Sequence, residues 1–102
     1  MTDRELLELA AKAAGYEVLD WCGERYTTTD GDRLFSWNPL ADDGDALRLA
    51  VKLKIDTLHR REVWATIAGK GLQLSEAFDE DPNAATRRAI VRAAAEIGRA
   101  MK

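Results

Sequence analysis

Trp37-Asn38-Pro39-Leu40-Ala41-Asp42-Asp43-Gly44-Asp45-Ala46-Leu47 is the stretch in which this chain of 102 residues reverses direction and begins a helix. Asn38 and Pro39 predict a turn, because an asparagine side chain bonds nearby backbone groups and proline fixes φ. Three aspartates follow, and a carboxylate is a good acceptor for the unpaired N–H groups at a helix start. The stretch therefore predicts an aromatic anchor, a turn and a helix cap, in that order.

Three helices are predicted, because apolar residues recur at helical spacing in three places. The first is expected at 3–14, after the capping box Thr2-Asp3-Arg4-Glu5. The second is expected at about 43–54, with an apolar stripe that comprises Ala46, Leu47, Leu49, Ala50 and Leu53. The third begins at the cap Asp81, with Pro82 at the first helical position, where its missing N–H costs nothing. Its buried stripe is expected to comprise Ala89, Ile90, Ala93, Ala94, Ile97 and Met101.

Strands are predicted between the helices. Two β-prone runs, 25–29 and 32–37, flank Asp30-Gly31, and Asp-Gly between such runs is a strong hairpin signal. A two-residue turn there would place Tyr26 opposite Phe35, within an aromatic cluster that also includes Trp37. Further strands are expected at 55–58, 62–67 and 72–74, and a short extended segment at 16–19, not counted among the strands, precedes the hairpin. The order helix, hairpin, helix, two or three strands, helix indicates an α+β fold with a mainly antiparallel sheet of four to five short strands.

Composition indicates one soluble globular domain, 1–102. The chain is 46% hydrophobic and 32% charged, which is too apolar for disorder and typical of a single domain at this length. Its net charge of -3 argues against a protein whose whole surface binds nucleic acid. The single cysteine, Cys22, cannot form an internal disulfide, and no run approaches the roughly 20 apolar residues of a membrane span. We therefore expect a cytoplasmic protein with no membrane partner.

No group of residues in the sequence predicts a catalytic, cofactor or metal site. The aspartates of the opening stretch could ligate a divalent cation, since hard cations prefer clustered oxygens, but their spacing does not match a calcium loop and helix capping accounts for them. His59 is the only histidine, and Asp56 is the only acidic residue close before it in the sequence. Beside Arg60 and Arg61 it is expected in an exposed turn. These features favour a protein that is not an enzyme.

Two surfaces are candidates for partner binding. Trp64 alternates with an aliphatic row in its strand, so it lies on the other face, which is either covered by a helix or exposed as a contact patch. With Arg60, Arg61 and the sheet edge, Trp64 would contact another protein. The alternative is a nucleic-acid-binding module that uses the arginine face of the third helix. That face comprises Arg88, Arg92 and Arg99. The acidic net charge favours instead a solvated outer face with an Arg92–Glu96 pair one turn apart.

Three segments resemble small phage and prophage proteins that carry the phage ABA sandwich domain. Residues 37–50, with Trp-Asn-Pro before an aspartate-rich cap, are similar to the central block of that family. Residues 81–94 resemble its closing helix, and 6–16 resemble its opening helix. The resemblance covers about the whole chain. It implies a three-layer α/β/α sandwich of phage or prophage origin, and it implies no reaction and no agreed ligand. We expect a non-enzymatic accessory protein that binds a host or phage protein, or a second copy of itself, in the bacterial cytoplasm.

Overall fold

The structure is a computed structural model that describes residues 2–22, 25–59, 62–67, 72–77 and 80–101. The elements in chain order are α1 (Asp3–Ala14), β1 (Glu17–Cys22), β2 (Arg25–Asp30), β3 (Arg33–Trp37), α2 (Asp43–Leu53), β4 (Ile55–His59), β5 (Glu62–Ile67), β6 (Leu72–Ala77) and α3 (Pro82–Ala100). The α+β class with three helices and antiparallel strands is confirmed. The described strands number six, not four to five, and form two three-stranded sheets, ordered β1-β2-β3 and β4-β5-β6.

Each helix begins with a side-chain cap, as predicted. The Thr2 hydroxyl accepts from the N–H of Glu5 at 3.2 Å, and the Glu5 carboxylate accepts from the N–H of Thr2 at 3.4 Å. The Asp42 carboxylate accepts from the N–H of Asp45 at 2.8 Å. Asp81 caps α3 in the same way, with Pro82 as the first helical residue. These acceptors satisfy N–H groups that have no partner within the helix.

In the first hairpin Tyr26, Phe35 and Trp37 share one face of the sheet, as predicted, but the strands pair in a different register. Asp30 pairs with Arg33, so the turn residues are Gly31 and Asp32, and Tyr26 lies opposite Trp37 rather than Phe35. Gly31 has a φ of 64°. Glycine tolerates this conformation without a Cβ penalty, whereas a turn at Asp30-Gly31 would require a positive φ at Asp30 as well. A shift of two residues keeps every side chain on its face, so the aromatic cluster still forms.

An aromatic cluster of Tyr16, Phe35 and Trp37 packs the first sheet against the core. Trp37 is buried, and its ring meets that of Tyr16 edge to face, with the ring centroids 5.8 Å apart. Phe35 meets Tyr16 in the same way at 5.2 Å. Tyr16 follows α1 directly, so edge-to-face contacts join the end of that helix to the hairpin.

The centre of the molecule is α3, which packs against α1, α2 and all three strands of the second sheet. Its middle and later turns are lined with small buried residues, which allows close packing on two sides. The buried residues are Ala89, Ile90, Val91, Ala93, Ala94, Ala95 and Gly98. Met101 was predicted in this stripe but is 43% exposed. The helix ends at Ala100 and Met101 is extended, so its side chain leaves the helical stripe.

Candidate functional site

Trp64 lies on the open face of the second sheet. Along β5, Val63, Ala65 and Ile67 are buried, whereas Trp64 is only partly buried on the opposite face. Since α3 packs against this sheet and the aliphatic row belongs to the core, α3 covers the Val63 side. The face that carries Trp64 is covered by none of the described helices. Of the two environments that the sequence left open for Trp64, burial under a helix is therefore not what the described part of the chain shows.

The neighbours of Trp64 give this face an apolar centre and a polar rim. Leu58 of β4 lies directly opposite Trp64 and is 50% exposed. Ser75 of β6 flanks Trp64 on the other side. We call this face the Trp64 patch: Trp64, Leu58, Ser75, Asp56, Thr66, Gln73, Glu62 and Ala77. A partly buried tryptophan beside a half-exposed leucine, surrounded by polar residues, is the pattern found at the centre of protein interfaces.

Three predicted features lie outside the described residues. Arg60 and Arg61 follow the last residue of β4 and precede the first residue of β5 in the chain. The side chain of Cys22 also falls outside the described part. His59 is exposed, as predicted, but it is the last residue of strand β4 and pairs with Val63 rather than lying in a turn.

The arginines of α3 contact carboxylates on different elements and do not form one solvated stripe. Arg88 donates to Asp3 of α1 at 2.8 Å. Arg92 donates to the backbone carbonyl of Ser75 at 3.1 Å and to the Glu76 carboxylate. The predicted Arg92–Glu96 pair is replaced, because α3 packs on β6 and brings Glu76 to Arg92. Glu96 pairs with Arg99 instead, at 3.3 Å. Ion pairing therefore reduces the positive charge that this face presents to a ligand.

The aspartates of the opening stretch bind protein donors. Asp45 is buried and accepts from the N–H of Asn38 at 2.9 Å and from Arg48 at 2.6 Å. Asp42 caps α2, as predicted. Asp43 accepts from Arg87 at 2.6 Å. In the described ranges, no group of three or more His, Cys, Asp or Glu side chains is placed to hold a metal ion. The three carboxylates thus build the start of α2.

Arg87 is a functional contact that the sequence reasoning missed. Its Nε donates to the carbonyl oxygen of Leu40 at 2.8 Å, while Nη1 donates to Asp43. One side chain thereby joins the start of α3 to the turn before α2. A signal was present in the sequence, because Arg87 lies three residues before Ile90 and seven before Ala94, on the buried stripe. An arginine on such a stripe indicates a specific partner.

A groove of about 670 Å³ lies between α2, β4 and the first half of α3. Ala50, Ile55 and Ile90 are among its apolar lining residues. Leu47 was predicted in the buried stripe of α2, but it is 64% exposed and lines this groove, as does Val51 at 69%. The reason is that α2 buries Ala46, Leu49 and Ala50 in the core, which turns Leu47 away from it.

Comparison of the chain with protein-family models, curated proteins and solved structures finds no match. The likeness to the phage ABA sandwich domain therefore stays a prediction from three sequence segments. None of the described helices combines the length and apolar character needed to cross a membrane.

Proposed function

We propose that this chain is a non-enzymatic accessory protein of a phage or prophage that acts in the bacterial cytoplasm by binding another protein. The contact surface is the Trp64 patch, and the partner is a host or phage protein. The observation that carries the proposal is Trp64 on the open face of the second sheet, directly opposite the half-exposed Leu58. The phage origin is supported by the sequence resemblance alone.

The energetics of the Trp64 patch suit protein binding. Fully burying a leucine side chain gains about 1.5–3 kcal/mol, so covering the half-exposed Leu58 gains roughly half of that, and Trp64 adds the part of its surface that is still exposed. Trp64 and Leu58 are adjacent across the strands, so one apolar group of a partner can cover both. Arg60 and Arg61 stand close by in the sequence and would favour an acidic partner surface.

The test begins with affinity capture of the tagged chain from lysogenic or infected cells, followed by identification of the co-purifying protein. The affinity of the purified pair is then measured by titration calorimetry. We expect Trp64→Ser and Leu58→Ser each to weaken binding at least tenfold, which corresponds to about 1.4 kcal/mol.

Leu34→Ser is the matched control, because Leu34 is also an exposed strand leucine but lies on the first sheet. We expect it to change the affinity less than twofold. Equal losses for Leu58→Ser and Leu34→Ser, or unchanged binding by Trp64→Ser, would refute the assignment of the surface.

The second candidate function is nucleic-acid binding by Arg88, Arg92 and Arg99. The observation in its favour is Arg99, whose side chain is 59% exposed near the end of α3. Three phosphate contacts predict a slope of about -2.7 when the logarithm of the binding constant is plotted against that of the salt concentration. Salt-dependent binding of duplex DNA that is lost in Arg99→Glu, but kept in Arg4→Glu of α1, would favour this function over protein binding.

A further inference from the structure

We propose that the chain forms a two-fold symmetric homodimer in which α2 packs antiparallel against α2 of a second copy. Among the described residues, the two most exposed large apolar side chains are Val51 and Leu47. They stand one turn apart on the same helix and line the groove between α2 and β4. Leu47 and Val51 lie outside the Trp64 patch, which shares only Asp56 with the groove lining, so dimerisation and partner binding can be tested with separate substitutions.

The exposed side of α2 carries an ordered strip of charge and apolar surface. At about 100° per residue, Asp43, Leu47 and Val51 fall within an arc of about 80°. Lys54 follows the last residue of α2 in a left-handed conformation and lines the same groove as these three residues. The strip reads acid, apolar, apolar, base along the helix. We call these four residues the α2 strip. Ala46 and Leu49, which pack into the core, lie on a different side of the helix.

The α2 strip is complementary to itself when reversed. A two-fold axis near Leu49 places Leu47 of one copy against Val51 of the other. Asp43 lies about 9 Å along the helix on one side of this axis, and Lys54 about 7.5 Å on the other. Each aspartate therefore comes level with the lysine of the second copy. A parallel arrangement would instead place like charges together, which is unfavourable.

Both charged ends of the strip are available for this pairing. Lys54 is exposed and forms no ion pair with any described residue. The Asp43 side chain is 63% exposed although it accepts from Arg87. The other Asp43 oxygen accepts from the side-chain amide of Asn83 at 3.3 Å. A carboxylate has about four acceptor sites, so Asp43 can also accept from Lys54 of the second copy. This charge complementarity selects a second copy as the occupant of the groove.

The experiment measures the mass of the full chain by sedimentation equilibrium across a concentration series up to 0.5 mM, on the order of the range in which weak dimers form. We expect the wild type to approach twice the chain mass of 11.3 kDa. Leu47→Glu and Val51→Lys should each weaken dimerisation at least tenfold, because each buries an unpaired charge in the apolar contact. Leu34→Glu, at an exposed leucine outside the strip, should leave the dimer intact.

Mixing the Leu47→Glu and Val51→Lys proteins provides the decisive test. Their heterodimer places the new carboxylate opposite the new ammonium and keeps one native leucine–valine contact, so the mixture should dimerise again. Mixing Leu47→Glu with Val51→Glu should not restore it. A wild type that stays monomeric at 0.5 mM, roughly the weak-affinity limit of specific interfaces, overturns the proposal, as does a mixture that stays monomeric. Circular dichroism checks folding, and Leu47→Gln replaces Leu47→Glu if that variant unfolds.

Discussion

Asp45 is a charged residue in the interior whose two carboxylate oxygens both accept hydrogen bonds. One oxygen accepts from the buried N–H of Asn38 and the other from Arg48. We expect Asp45→Ala to lower the free energy of unfolding by about 1–3 kcal/mol, because it removes the carboxylate that accepts from the buried N–H of Asn38. Arg48→Ala should cost less than about 1 kcal/mol, since the Arg48 side chain is mostly exposed. Urea unfolding followed by circular dichroism measures both values, and equal losses would contradict this account of Asp45.

At Gly98 the backbone of α3 lies very close to the backbone of α1. A Cβ placed there would lie 2.8 Å from the carbonyl carbon of Leu9 and closer still to its oxygen. Both are backbone atoms, so the helices would have to separate, and we expect Gly98→Ala to destabilise the fold by about 3 kcal/mol.

Gly44→Ala is the control for this prediction. A Cβ at Gly44 meets only the ends of the Arg48 and Asp42 side chains, at 3.2 Å. The gain in helix propensity offsets that contact, so the stability should change by less than about 1 kcal/mol. If the two alanine variants unfold at the same urea concentration, the close helix approach is not what requires glycine at position 98.

At the scale of elements, Arg87 couples the start of α3 to the start of α2. Its guanidinium reaches a backbone carbonyl and a carboxylate at once, which a lysine ammonium cannot do with the same fork geometry. We expect Arg87→Lys to accelerate amide hydrogen exchange about tenfold in residues 40–46, with little change in β2 and β3. Arg99→Lys, at a partly exposed pair on the same helix, should change neither region. If Arg87→Lys accelerates amide exchange equally over the whole chain, Arg87 stabilises the fold globally and does not act as a local contact between α2 and α3.

The sequence predicted elements where the deciding interaction is local. Caps at Thr2, Asp42 and Asp81 act within three residues, so the helix starts were predicted correctly. The hairpin register depended on which residue takes a positive φ, and the Asp-Gly rule placed the turn one residue too early. β1 extends to Cys22 and β6 to Ala77, further than predicted, because pairing with Arg25 of β2 and with Glu62 of β5 sets these strand ends.

For the candidate surfaces too, the sequence predicted what local patterns decide and missed what tertiary packing decides. Strand alternation placed Trp64 on the face opposite Val63, as found. Whether that face is open depends on where α3 packs, which no local pattern reports. The prediction that Arg92 pairs with Glu96 was wrong. Arg92 contacts Glu76 instead, which is 16 residues away in the chain and is brought close only by the packing of α3 on β6. The exposure of Leu47 likewise depends on how α2 packs against α3, which the sequence does not report.

At the scale of the whole molecule, one hydrophobic core serves both sheets. Trp37 of the first sheet and Val63 of the second belong to the same buried cluster, joined through α1 and α3. The radius of gyration is 12.9 Å, close to the value of about 13 Å for a compact chain of this length. Within the described residues neither three-stranded sheet has a separate core, so we expect the chain to unfold as one unit.

The test of this cooperativity is amide hydrogen exchange in the two central strands. Thr28 of β2 and Ala65 of β5 should exchange with the same free energy of opening, because only global unfolding exposes either amide. Val63→Ala removes buried volume next to α3 and should lower both values by about 2 kcal/mol. Leu34→Ala, at an exposed site, should lower neither by more than about 0.5 kcal/mol. If Val63→Ala accelerates exchange at Ala65 and leaves Thr28 protected, the two sheets unfold separately. The first hairpin would then be held by Tyr16 and its aromatic partners rather than by the common core.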